Sequence, residues 1–158
     1  MAIRKIILKG DECLSKKCRD VTTFDRKLKM LIEDMKETMI DLNGVGLAGP
    51  QIGMLRNIAI VLNVETEEII EIINPKILES SGEESGLEGC LSIPDVYGYV
   101  ARPTYIKIEY QNRKGKLCTL EANDFLARTV FHELDHLNGN LFDVLVTEFV
   151  DASELNLE

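Results

Sequence analysis

A chain of 158 residues, 45% hydrophobic and 28% charged, has the makeup of one globular domain, expected to span 1–158 and to bury a real core. Its formal charge of -9 and pI near 4.8 argue against a protein that coats nucleic acid or an anionic membrane by charge alone, since both need a cationic face. No apolar run approaches the ~20 residues of a membrane helix, and the opening MAIRKIILKG alternates too briefly for a signal peptide or an anchor.

The first periodic segment runs from about Asp25 to Asn43, where Leu28, Leu31, Ile32, Met35, Met39 and Leu42 recur every three or four residues and predict a helix stopped by Gly44. Two β-branched runs follow, NIAIVLNV at 57–64 and EIIEIINPKIL at 68–78, and they predict strands joined by a polar turn. Pro75 should limit the second strand or hold it at an edge. ESSGEESG, residues 79–86, has the composition of a loop. Ile106, Ile108 and Tyr110 alternate with polar residues before NRKG and the returning Leu117–Glu121, which predicts a hairpin. Asn123 is placed to cap a final helix from about Asp124 to Asn138, ended by Gly139. Helices at both ends of a strand region give an α+β order, and the acidic tail VTEFVDASELNLE reads as a solvated terminus.

The chain's only two histidines, His132 and His136, lie in HELDH on that final helix. One turn apart, they project from the same face and can grip one metal ion. Glu133, about 100° around the helix, is a poor ligand there but can take a proton from water. A catalytic site of this kind uses three protein ligands. The peptidase continuation H-E-x-x-H-x-x-G-x-x-H has its glycine in Gly139 but Phe142 where the last histidine belongs. Glu148, Glu154 and Glu158 sit in the acidic tail without a clear helical frame, so an upstream ligand is the better source. Cys90, in EGCLS beside Gly89, is the candidate, because a thiol beside a divalent cation is deprotonated at neutral pH. On this ground alone it stands evenly between ligand and structural thiol. Cys13, Cys18 and Cys118 are better read as small hydrophobes or surface thiols, reduced in a cytosol.

Gly44, Gly46 and Gly49 in GVGLAGPQIG satisfy G-x-G-x-x-G, but a helix precedes them and Pro50 follows, the wrong context for a dinucleotide. Such a loop also lets an extended peptide approach, and the Gln51 carboxamide can donate to a developing oxyanion. An ordinary helix-to-strand loop has the same glycine spacing.

Together and in this order, GVGLAGPQIG, EGCLS and HELDH resemble the three signature motifs of the peptide deformylase family, and ARTVFHELDHLNGNLFDV extends the match. The resemblance implies strands wrapped around a central C-terminal helix that carries HELDH. It implies one divalent metal on Cys90, His132 and His136, with Glu133 as general base and Gln51 and the Leu91 N–H facing the oxyanion. Backbone around Val45, Gly46 and Gly89 would line the peptide cleft, with Val45 and Glu88 bordering a methionine pocket. The family's physiological metal is commonly ferrous iron, with zinc, nickel or cobalt able to substitute. Its substrates are N-formylmethionyl peptides emerging at the ribosome in the cytoplasm, which requires neither direct nucleic-acid binding nor a membrane. Two positions depart from the family pattern: Gly49 stands where a residue such as alanine is usual, and Phe131 where glutamine precedes the first histidine. A metallopeptidase and an inactive metal-binding homologue are the competing readings.

Overall fold

The computed structural model describes residues 2–155. Its first long helix, α1 (Arg26–Asp41), starts at Asp25, whose carboxylate accepts from the Leu28 N–H. Leu28, Leu31, Ile32, Met35 and Met39 are buried, as the three-and-four spacing requires. Asn43, rather than Gly44, takes the left-handed conformation after the helix, at φ 54°. Asparagine tolerates that region, and Gly44 serves close packing instead, since a Cβ there would lie 3.0 Å from Leu91 Cδ1.

Five strands, β1 (Gly46–Ala48), β2 (Ile58–Asn63), β3 (Glu68–Ser81), β6 (Tyr105–Gln111) and β7 (Leu117–Asn123), form one antiparallel sheet in the order β1-β2-β3-β6-β7. A second, of β4 (Glu84–Cys90), β5 (Ile93–Arg102) and β8 (Glu148–Val150), runs β4-β5-β8. The run IAIV in β2 is buried on both faces. Ile58 and Ile60 join Met35 and Met39 of α1 on one side, whereas Val61 joins Val130 and Leu134 of the final helix, α2 (Asp124–Leu137), on the other. This two-sided burial is why β2 reads as a continuous apolar run and β6 as an alternating one.

The helix α2 lies between the two sheets. It packs on the five-stranded sheet through Ala127, Val130 and Leu134, and Arg128 and His132 reach the three-stranded sheet through hydrogen bonds to Val100 and Glu88. The fold is α+β with strands around a central helix that carries HELDH. Asn123 holds the N-cap position but makes no side-chain capping bond.

Three sequence expectations change. Pro75 does not end its strand, which continues to Ser81: β3 pairs with β2 up to Ile73 and with β6 beyond it, the register shifts between Ile73 and Lys76, and Pro75 falls in that irregularity. Past Pro75 the strand has a single neighbour, so the edge expectation holds for that half. ESSGEESG is two strand ends around a two-residue turn at Gly82 and Glu83, with polar composition because both ends are exposed. The tail is partly structured: Glu148–Val150 pairs with Tyr97–Tyr99, and a 3-10 turn follows at Ala152–Leu155. The final NLE of the tail lies outside the described residues.

Residues 2–9 cross the molecule as a strap. The Ala2 N–H and the Arg4 guanidinium both donate to Asp34 of α1, and Lys9 pairs with Asp143. Among the described residues no helix is long and apolar enough to cross a membrane. All four cysteines are free thiols.

Candidate metal centre and catalytic cleft

The two histidines of α2 meet edge to face, 5.1 Å between ring centroids, on the face turned toward the three-stranded sheet. Cys90 ends β4 at a register shift between Gly89 and Cys90, which turns its sulfur to the helix, 3.3 Å from His136 Nε2. One donor atom from each of Cys90, His132 and His136 lies within 4.8 Å of the others. A sulfur from β4 and two imidazoles from α2 make a donor set that could hold a metal ion, the kind that three-ligand catalytic sites use. Burial pushes the His136 imidazole down to about 3, while at His132 burial is outweighed by hydrogen bonds to Cys90 and Glu88, which hold that ring up at about 10. Phe142, where the peptidase pattern needs histidine, is 1% exposed, with its ring 5.7 Å from that of His132.

Behind the donors lies a charged layer. Glu88 Oε1 is 2.9 Å from His132 Nδ1, which fixes that ring with Nε2 toward Cys90 and His136. Arg102 donates to both oxygens of Glu88 and also to Asp135, while Arg128 donates to Glu88 and to the Val100 carbonyl. Burial alone would raise the Glu88 carboxyl, but hydrogen bonds from His132 and Arg102 outweigh it and hold the group down at about 2. Glu88 is therefore a fixed anion: it lines the cleft, with its carboxylate spent on His132 and two arginines. Sequence reasoning gave Arg102 and Arg128 no role. The spacing held a signal for the second, since Arg128, His132 and His136 recur every four residues on one helix face. Nothing in the sequence marked Arg102 as a buried ion.

Glu133 is turned to the other side of the metal donors. It is 4% exposed, and burial pushes its carboxyl up to about 7 against the opposing pull of His132. Among the described residues its Oε1 has no hydrogen-bond partner. The glycine of the first motif explains how this carboxylate fits. A Cβ on Gly46 would fall onto Glu133 Oε2 and come within 2.8 Å of Cδ. Gly46→Ala should therefore displace the carboxylate while metal content stays at the parental level, so turnover falls and bound metal does not; parental turnover would show that the carboxylate's position is not critical.

Gln51 is held in a 3-10 turn after β1, 1% exposed. Its Oε1 accepts from the Ala48 N–H at 3.0 Å, and Nε2 donates to Ser92 Oγ at 3.1 Å and faces Cys90 Sγ at 3.6 Å. Val45, Gly46, Gln51, Glu88, Gly89, Cys90, Leu91, His132 and Glu133 all line one cleft of about 370 Å³. Leu42, Leu87, Tyr97 and Phe125 supply its apolar rim. Gly89 admits the Tyr97 ring, which would lie 2.7 Å from a Cβ at that position. Tyr97 and Ser92 are site elements that sequence reasoning missed: Tyr97 lies in no motif, and Ser92 closes EGCLS without having been given a role.

The two departures have separate surroundings. A Cβ on Gly49 would lie 2.6 Å from the Met54 carbonyl and 2.8 Å from that of Arg56, so the backbone of 54–56 closes over a glycine. Phe131 packs against the cluster of Ile106, Ile108 and Ala122, on the far side of α2 from the cleft. The outer partner of His132 is Glu88, and it does not depend on position 131.

The sequence model of the family described as Polypeptide deformylase matches residues 3–148. Peptide deformylase 1 of Bacillus subtilis is 48% identical over 155 residues, which cover 98% of this chain and 97% of that protein. Peptide deformylase 1 of Clostridium acetobutylicum is 51% identical over 142 residues, covering 90% and 93%. The crystal structure of a peptide deformylase from Legionella pneumophila superposes with a TM-score of 0.89 at 42% identity, over 92% of this chain and 87% of that one.

Proposed function

The chain belongs to the polypeptide deformylase family, and from that premise we propose that its residues 1–158 act as one catalytic domain. It hydrolyses the N-formyl group of N-formylmethionyl polypeptides, giving formate and a free amino terminus. The observation that carries this reading is the convergence of Cys90, His132 and His136 beside a buried carboxylate, Glu133, in one cleft.

The three donors would hold one divalent ion through Cys90 Sγ and an imidazole nitrogen of each histidine. When bound, that ion supplies Lewis acidity, which makes water a nucleophile at neutral pH and draws electrons from a carbonyl. Everything else falls to the chain. Glu133 Oε1, lacking a partner among the described residues, takes a proton from water as its oxygen attacks the formyl carbon. The Gln51 Nε2–H and the Leu91 N–H donate to the formyl oxygen as it becomes negative; one such donor contributes about 2.7–4 kcal/mol in other enzymes. The C–N bond then breaks, and Glu133 returns its proton to the departing amine nitrogen. Glu88, anchored by Arg102 and Arg128, keeps His132 in one orientation throughout. Backbone around Val45, Gly46 and Gly89 seats the peptide, and Val45 and Glu88 border the methionine side chain.

A soft thiolate with two imidazoles accepts iron, zinc, nickel or cobalt, and we infer ferrous iron as the physiological ion, as the family resemblance implies. The substrates are peptides emerging at the ribosome, and the compartment is the cytoplasm. A charge of -9 disfavours direct binding to RNA. Among the described residues the competing peptidase reading lacks a third downstream ligand: Phe142 is core, and Glu148 and Glu154 lie outside the donor cluster. A protein loaded anaerobically with iron and mixed with a formyl-Met peptide should release formate and leave internal bonds intact, as read by formate detection and peptide mass. Cleavage of an unformylated peptide at a comparable rate would favour the peptidase.

A further inference from the structure

Gln51 and Ser92 are 41 residues apart in sequence, in different motifs, yet both side chains are shut away from solvent, at 1% and 0% exposed. A carboxamide offers two N–H donors and one acceptor, and each is engaged or aimed here. The Ala48 N–H occupies Oε1 and so fixes which end of the amide faces the cleft. One N–H of Nε2 goes to Ser92 Oγ at 3.1 Å, and the other is left for Cys90 Sγ and the cleft.

The Ser92 backbone is itself a fixed point. The strap of residues 2–9 binds both partners through the backbone: the Ile7 N–H donates to the Gln51 carbonyl and the Lys9 N–H to the Ser92 carbonyl, each at 2.8 Å. Ser92 is absent from the cleft lining, so its hydroxyl reaches a substrate only through Gln51.

Resting on the function proposed above, the geometry points to Ser92 as a positioning residue that holds the Gln51 carboxamide with one N–H directed into the cleft. A donor contributes to catalysis in proportion to how fully it is oriented before charge develops. Removing the hydroxyl leaves the amide held through Oε1 alone, so its Nε2 end is less tightly aimed while Gln51 itself stays in place.

The test is a double-mutant cycle on metal-replete protein. Ser92→Ala should lower kcat for formyl-Met peptide about tenfold, below the 10²–10³-fold that removal of a whole oxyanion donor costs, with KM and metal content unchanged. Added to Gln51→Ala, the same change should cost nothing further, because its route runs through that residue. Ser92→Cys, which keeps the volume with a poor acceptor, should behave as Ser92→Ala does and serves in its place if the alanine variant does not fold. Parental kcat in both variants, or an equal loss with and without Gln51, overturns the assignment. A second readout is independent of turnover. In cobalt-loaded protein the sulfur-to-cobalt charge-transfer band should shift in Ser92→Ala, since Gln51 Nε2 faces Cys90 Sγ, and should not shift further in the Gln51→Ala background. If the parent releases no formate, the functional reading fails, and the cobalt band alone decides the role of Ser92.

Discussion

Glu133→Ala should bind metal as the parent does and lose formate release by about 10²–10⁴-fold, the usual contribution of a positioned general acid–base. The reason lies in what surrounds the carboxylate. It is buried, Gly46 makes room for it, and its Oε1 is uncommitted among the described residues. The other acid in the cleft cannot replace it, because Glu88 is bound by Arg102, Arg128 and His132. Metal content by elemental analysis and turnover by formate detection separate the two outcomes.

The same residue carries a pH signature in the metal-free protein. Burial raises the Glu133 carboxyl to about 7 from an ordinary value near 4.5. Folded protein thus holds a proton that unfolded protein releases between those values, so stability falls as pH rises from about 4.5 to about 7. Metal-free Glu133→Gln, which cannot ionise, should melt above the parent at pH 8, and the gap should close toward pH 5. A gap independent of pH would mean that the carboxyl is not shifted.

Cys90→Ala should weaken metal binding by more than the ~10–100-fold that loss of an outer-shell partner costs, since it deletes the only thiolate of the donor set. Two imidazoles on one helix turn remain, and they do not make the three-ligand site of a catalytic ion. Competition with a chromophoric chelator measures the change directly. Cys13→Ala, Cys18→Ala and Cys118→Ala are the controls; their sulfurs lie outside the cluster and should leave affinity unchanged. Parental affinity in Cys90→Ala would remove Cys90 from the site.

Much of this arrangement could be read from sequence because it depends on local spacing. The periodicity of α1, the β-branched run of β2, the β6–β7 hairpin and the shared helix face of His132 and His136 are each decided within a few residues. What escaped depends on distant pairing. β4 carries glycine, serine and glutamate, and its order comes from β5 and from α2 rather than from propensity. The Glu88–Arg102–Arg128 layer escaped for a related reason: charged side chains read as solvated surface, and only the fold shows that they meet around an imidazole. Phe131 departs from the family pattern beside His132 in sequence, yet neighbouring positions on a helix point about 100° apart, and the ring packs on the five-stranded sheet.

The most direct measurement is formate release from a formyl-Met peptide by anaerobic, iron-loaded protein, run beside Glu133→Ala with the bound metal quantified in both. The expected result is formate in step with new free amino termini from the parent, and almost none from the variant at equal metal occupancy. Formate release by Glu133→Ala at the parental rate, or none from a metal-replete parent, would contradict it.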